Sequence, residues 1–215
     1  MSIKKFIIYV VEFLLSPTYF FADYKKSKSM DSKQDVGLLI KKFNIIYLLI
    51  ATLIALGLYF YPPTQIYKKG LEEPFIWVAG FIIWFYPLSR ANEIIYAFYR
   101  DAIEKLNGEQ SRSKLKYGER IQLAVKSYIE LIINFASIYM LLPPSYFGDK
   151  ITSYIEALYF SGVTITTLGY GDISPTHGFA QFLSIYQVLC GFTLIVVSFA
   201  VYTGRSIEVN SDSGA

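Results

Sequence analysis

The sequence predicts an all-α integral membrane protein, and three observations carry that reading. Of the 215 residues, 53% are hydrophobic and 18% aromatic. Charged residues make up only 17%, against roughly 25% in an average soluble domain. Several apolar runs approach or exceed the ~20 residues a helix needs to cross ~30 Å of hydrocarbon. The expected fold has four transmembrane helices, a short re-entrant helix followed by a loop, and an N-terminal interfacial helix.

Composition also sets aside other classes. A net charge of +3 without a clustered basic stripe does not fit a nucleic-acid binder. One cysteine, Cys190, excludes an intrachain disulfide and a Cys-based metal site. One histidine, His177, excludes a His-rich metal centre.

The elements follow in chain order. Phe6 to Ala22 is apolar but contains Glu12 and Pro17, with Lys4 and Lys5 before it and Lys25, Lys26 and Lys28 after it. It reads as an interfacial helix whose lysines meet anionic headgroups, with a true span as the alternative. No small-residue cleavage site follows its apolar core. Phe43–Tyr61 carries no charge and qualifies as a span. Phe75–Leu88 is short, so its helix must recruit residues past Arg90, and Pro87 kinks it there. Ile121–Leu142 qualifies with two charges, Lys126 and Glu130. Phe179–Thr203 is uncharged and the longest run.

Basic residues set the orientation. Residues 23–42 hold six lysines, and 89–120 hold seven lysines and arginines, beginning with Arg90. The loop 62–74 has Lys68 and Lys69, offset by Glu72 and Glu73. Both basic segments are therefore expected in the cytoplasm, with both chain ends, and 62–74 outside.

Pro143 to Gly178 is not an ordinary outer loop. Ser153 followed by Glu156 is a capping box, which starts a helix near Tyr154. The apolar run to Thr166 gives about three turns, too short to span. Irregular backbone at membrane depth survives only when buried in protein or lining a wet cavity. Gly169 and Gly171 adopt positive φ without steric cost. Alternating handedness turns successive carbonyls to one side. Thr167, Leu168, Gly169 and Tyr170 then present a ladder of oxygens able to replace the hydration shell of a monovalent cation. One chain builds one wall; closed symmetry, with four copies, builds the rest. The helix carboxyl end, with about half a negative charge, adds to the field.

Thr164-Ile165-Thr166-Thr167-Leu168-Gly169-Tyr170-Gly171-Asp172 resembles the T-x-T-T-V-G-Y-G-D signature of the tetrameric potassium channels. Pro175 fits the same pattern. The resemblance runs from about Lys114 to Arg205. It implies a homotetramer conducting K+ passively and selectively, with no cofactor beyond the permeant ion and with membrane lipids as its other partners. By position, Thr167, Leu168, Gly169, Tyr170 and Gly171 line the filter and Asp172 sits at its outer mouth. Tyr159, Phe160 and Thr164 support it from behind, and Gly191 falls near the inner-helix hinge. Two departures stand out. Leu168 replaces the usual valine or isoleucine, and Val163 stands where some members carry a glutamate that pairs with the filter aspartate. Tyr159 is the alternative donor to Asp172.

The resulting division is 1–42, an interfacial helix and basic loop; 43–106, a peripheral helix pair; 107–120, a linker; 121–205, the pore domain; and 206–215, a short tail. Gating is less legible. No segment repeats arginine at every third position, as a voltage sensor does. Glu130, midway along a span with Lys126 and Asn134 one turn away on its face, reads as a paired structural carboxylate or a gating group. Gly191 reads as a hinge or a packing glycine. Cys190 reads as apolar filler, and His177 as a solvated loop residue or a pH-tuning one. The function classes are a potassium channel, a pore-loop transporter and a non-conducting subunit. A full filter and a single loop favour the first. No phosphate-binding loop, metal cluster or nucleophile–base pair points to an enzyme.

Overall fold

The computed structural model describes residues 10, 13, 16–31, 35–63, 74–107, 113 and 115–195. The described residues are helical with connecting turns and contain no strand. The helices are α1 Pro17–Asp31, α2 Val36–Phe60, α3 Pro74–Leu106, α4 Tyr117–Met140, α5 Tyr154–Ile165 and α6 Gly178–Phe192. A 3-10 turn, Pro144–Phe147, follows α4.

Among the described residues, three helices are long and apolar enough to cross a membrane: Val36–Phe60, Tyr117–Met140 and Gly178–Ile195. The molecule is a membrane protein. A fourth crossing was expected on the helix containing Phe75–Leu88. That helix, α3, is 33 residues long and continues through Pro87, but it is not among the three. The reason is chemical. Its apolar run is short: it ends just past Pro87, and Arg90 and Glu93 follow, paired with each other and, through Arg90, with Glu130.

The N-terminal region also differs from expectation. Much of the apolar segment 6–22 lies outside the described residues. From Pro17 the chain is helical as far as Asp31, well into the stretch read as a basic loop. Proline suits the first helical turn, where its missing N–H has no partner to lose. The Ser16 hydroxyl accepts from Tyr19 N–H at 3.2 Å and closes the end. The chain is helical again from Val36, because Asp35 caps α2 by accepting from Gly37 N–H at 2.8 Å. The loop beyond 63, residues 108–112, the segment 196–205 and the tail 206–215 lie outside the described residues.

α4 is the centre of the bundle and packs against α2, α3, α5 and α6. Its buried side carries Leu131, Phe135, Ile138 and Tyr139 together with Ser127, Glu130 and Asn134. Polar groups in a membrane helix are costly against lipid, so they face protein. α2 repeats the logic. Asn44, Tyr47, Ala51, Ala55 and Leu58 form its buried stripe. Leu49, Leu53, Leu56 and Phe60 form an exposed apolar face suited to lipid.

Candidate functional site

The loop 166–172 follows α5 without a break, and α5 sets its position. Ser153 accepts from Glu156 N–H, and the Glu156 carboxylate accepts from Ser153 N–H at 2.9 Å and Thr152 N–H at 2.7 Å. That is the capping box the sequence announced. Twelve residues rise about 18 Å, well short of the hydrocarbon thickness. At the far end, Thr166 donates its hydroxyl to Gly162 O at 2.7 Å, and Leu168 N–H reaches Val163 O at 3.1 Å.

Beyond that end the backbone alternates in hand. Thr167 has φ 58°, Gly169 56° and Gly171 80°, while Leu168 and Tyr170 keep negative φ. A Cβ on Gly169 or Gly171 would meet nothing within 4 Å. The glycines are therefore required by conformation and not by space. Thr167 was not expected to join them. A β-branched residue with positive φ is a genuine outlier, and such strain collects at functional sites.

The wall of the loop is open in the single chain, with Leu168 59% and Tyr170 66% exposed. The Tyr170 ring stacks on Tyr159 with centroids 6.5 Å apart and planes 5° apart. Tyr159 also donates its hydroxyl to Asp172 Oδ2 at 2.8 Å, the donation expected in place of the absent glutamate. That bond, more than any other influence, holds the Asp172 carboxyl below its ordinary value. Lys150 Nζ donates to the Asp172 carbonyl. Phe160, placed by sequence behind the loop, packs against α4 and the 3-10 turn. It meets Tyr139 and Phe147 edge-on at 5.0 and 5.2 Å. Thr164 is half-buried, and its carbonyl accepts from Thr167 N–H at 3.0 Å.

A buried polar network fastens this unit, and the sequence reading missed it. The Tyr139 hydroxyl donates to Gln187 Oε1 at 2.8 Å. Gln187 Nε2 donates to Ser161 O at 2.9 Å and Ser161 Oγ at 2.7 Å. Ser161 Oγ donates to Ile132 O at 2.8 Å. One fully buried glutamine thus ties α4, α5 and α6 together. A glutamine in the middle of an uncharged apolar run was the available signal.

The chain leaving the loop is clamped as well. Tyr146 O accepts from Thr176 N–H at 2.8 Å, and the Tyr146 and His177 rings stack at 3.7 Å. His177 is exposed, as expected, and it also caps α6: its Nδ1 accepts from Phe179 N–H at 3.2 Å.

The gating candidates resolve into contacts. Gly191 is buried, and a Cβ there would lie 2.6 Å from Ile165 Cγ1 and 3.2 Å from Ile165 O. It is the point where α6 touches the end of α5, which is a packing role. Cys190 is fully buried beside it. Glu130 is fully buried and pairs with Arg90 of α3, through Nε at 2.8 Å and Nη2 at 3.0 Å. Arg90 Nη1 also meets Glu93 Oε2 at 2.6 Å, and the guanidinium lies 3.9 Å over the Tyr47 ring. Arg90 is one of the basic residues that the sequence places in the cytoplasm. It is 3% exposed and belongs to the interior, because α3 runs unbroken past it.

Residues 127–206 match the family model described as Ion channel. Over that segment the chain is similar to ion channels, potassium channels among them. The match takes in most of α4, all of α5, the alternating loop and α6. Protein LctB of Geobacillus stearothermophilus is 29% identical over 90 residues, covering 37% of this chain and 66% of that protein. Two-pore potassium channel 2 of Arabidopsis thaliana is 38% identical over 84 residues, 39% of this chain and 18% of the plant protein. The voltage-gated potassium channel Kch of Escherichia coli is 36% identical over 62 residues, 29% of this chain and 15% of Kch. The chain thus spans just under two thirds of LctB and under a fifth of the other two. No solved structure matches.

Proposed function

We propose that the chain is the subunit of a channel that conducts K+ passively and selectively across the cell membrane. The observation that carries this reading is the alternation of positive φ at Thr167, Gly169 and Gly171, directly after the carboxyl end of a helix too short to span. Alternating handedness aims successive carbonyls to one side, where they replace water around the ion. Thr167 to Gly171 line the path, Asp172 holds its outer mouth, and Tyr159 braces both. The permeant ion is the only group needed; no cofactor and no catalytic residue take part.

Four copies around one axis supply the remaining walls. The exposed state of Leu168 and Tyr170, and the apolar stripe Phe182, Ile185, Leu189 and Phe192 on α6, support such a partner surface. Four α5 carboxyl ends then converge on the axis, each with about half a negative charge. α3 serves as the fourth crossing, with Arg90 compensated by Glu93 and Glu130. Both chain ends face the cytoplasm, which the basic residues of 23–42 and 89–120 favour even without Arg90.

Potassium flux into liposomes holding the purified full chain tests this. Selective K+ uptake is expected. Equal Na+ and K+ permeation contradicts selectivity, and a protein without flux contradicts the channel. Mass measurement of the detergent-solubilised complex tests the tetramer, and a monomer or dimer contradicts it.

A further inference from the structure

The peripheral helices enclose two adjoining cavities that take no part in the pore. The larger, about 140 Å³, lies between α1, α2, the end of α3 and the start of α4. The smaller, about 70 Å³, extends from the same wall toward Arg90 and Glu93. Val36, Ile40, Phe98, Leu115 and Leu123 give the larger cavity apolar walls. Lys26, Ile40, Ala97, Phe98 and Leu123 line both.

The other charges around these cavities already have partners. Arg100 donates to Glu104 at 2.9 Å and to the Tyr19 hydroxyl at 2.7 Å, with Asp23 at 4.0 Å. Arg120 donates to Asp101, and to the Ser113 hydroxyl at 3.0 Å. Arg90 is held by Glu93 and Glu130. Lys26 differs: among the described residues, no acceptor lies within hydrogen-bonding distance of its amine. Burial holds that amine below the ordinary lysine value, with Glu93 and Asp23 opposing at longer range. An ammonium placed among apolar walls without an acceptor gains from a charged one.

We propose that the larger cavity binds an amphiphile with an oxyanion head. A carboxylate or phosphate oxygen accepts from Lys26, and the first part of an apolar chain lies among Ile40, Phe98 and Leu123. The space is close to the ~150 Å³ that holds a benzene-sized molecule, so the rest of the chain leaves through the open side. An occupant there touches α1, α2, α3 and α4 at once and braces the peripheral helices against the pore.

Equilibrium binding of radiolabelled laurate to the purified full chain in neutral detergent tests this without reference to conduction, so it can fail independently of the channel reading. Saturable binding is expected. Lys26→Met should weaken it at least about tenfold, the scale of one hydrogen bond to a charged group. Ala97→Leu, which fills the shared wall from another helix, should weaken it too, and dodecanol should bind far less than laurate. Circular dichroism and gel filtration should show both variants folded. Competition by phosphatidylglycerol in bicelles assigns the head to a bilayer lipid; its absence assigns it to a free fatty acid. Unsaturable binding overturns the proposal. So does laurate binding unchanged in folded Lys26→Met, which leaves Lys26 as no more than a counter-charge to Glu93.

Discussion

Thr167 keeps φ at 58° although its β-branched side chain disfavours that region. A cost of roughly 1–3 kcal/mol is stored there. Thr167 thus shares the conformation for which Gly169 and Gly171 are chosen. The glycines were legible in the sequence because only glycine enters this region freely. Threonine gives no such sign, so its part was visible only in the structure. Gly169→Ala or Gly171→Ala adds a strain of about 1–2 kcal/mol per site. Potassium-selective flux should fall to background while the helical circular dichroism is kept. Asp172 makes a pH prediction. Its carboxyl is depressed chiefly by the Tyr159 hydroxyl. The Tyr159–Asp172 bond is therefore complete above the ordinary carboxylate value and is lost as pH falls through the depressed one. Titrating external pH against flux should give an acid midpoint that moves upward in Tyr159→Phe. An unmoved midpoint would place the acid sensitivity elsewhere.

Between elements, the fastenings are polar and small. Gln187 joins three helices at full burial. Gln187→Leu leaves the buried Tyr139 hydroxyl short of a partner, at about 1–3 kcal/mol for an unsatisfied group. Thermal unfolding in detergent should move clearly downward. Gly191→Val drives a side chain into Ile165, and overpacking of this kind costs typically 1–3 kcal/mol. If Gly191 serves packing, a fall in stability should accompany any change in flux; unchanged stability with altered flux would restore the hinge. Glu130→Gln weakens a buried pair, where losing one partner costs about 3–5 kcal/mol. Replacing Arg90, Glu93 and Glu130 together with apolar residues should cost less than the single change. Sequence alone showed Glu130 as an intramembrane carboxylate but not its partner. Arg90 lies 40 residues away on another helix, and local spacing favoured Lys126. Helix periodicity reports neighbours within one helix, and it has no term for which helix lies alongside.

At the scale of the molecule, hydropathy and the capping box at Ser153 made the bundle readable, and the lysines and arginines suggested its direction. The continuity of α3 through Pro87 and the helix over Pro17–Asp31 were harder to read. Both depend on packing against neighbours, which outweighs local breaking signals. Tyr19, for example, meets Tyr96 of α3 edge-on at 4.7 Å and lends its hydroxyl to Arg100. The two halves of the chain are joined chiefly at α4, by Arg90–Glu130 and by Asn44–Ser127 at 3.0 Å. α6 is reached directly as well, where the Tyr186 hydroxyl donates to Asn92 of α3. A displacement of the peripheral helices therefore bears on both α4 and α6. The central claim is that the alternating loop passes potassium and rejects sodium. Ion uptake by liposomes carrying the purified full chain, with K+ and Na+ compared in the same preparation, tests it most directly. Rapid K+ uptake with Na+ near background, abolished in Gly171→Ala, is the expected result; equal uptake of the two ions, or uptake unchanged in Gly171→Ala, would contradict it.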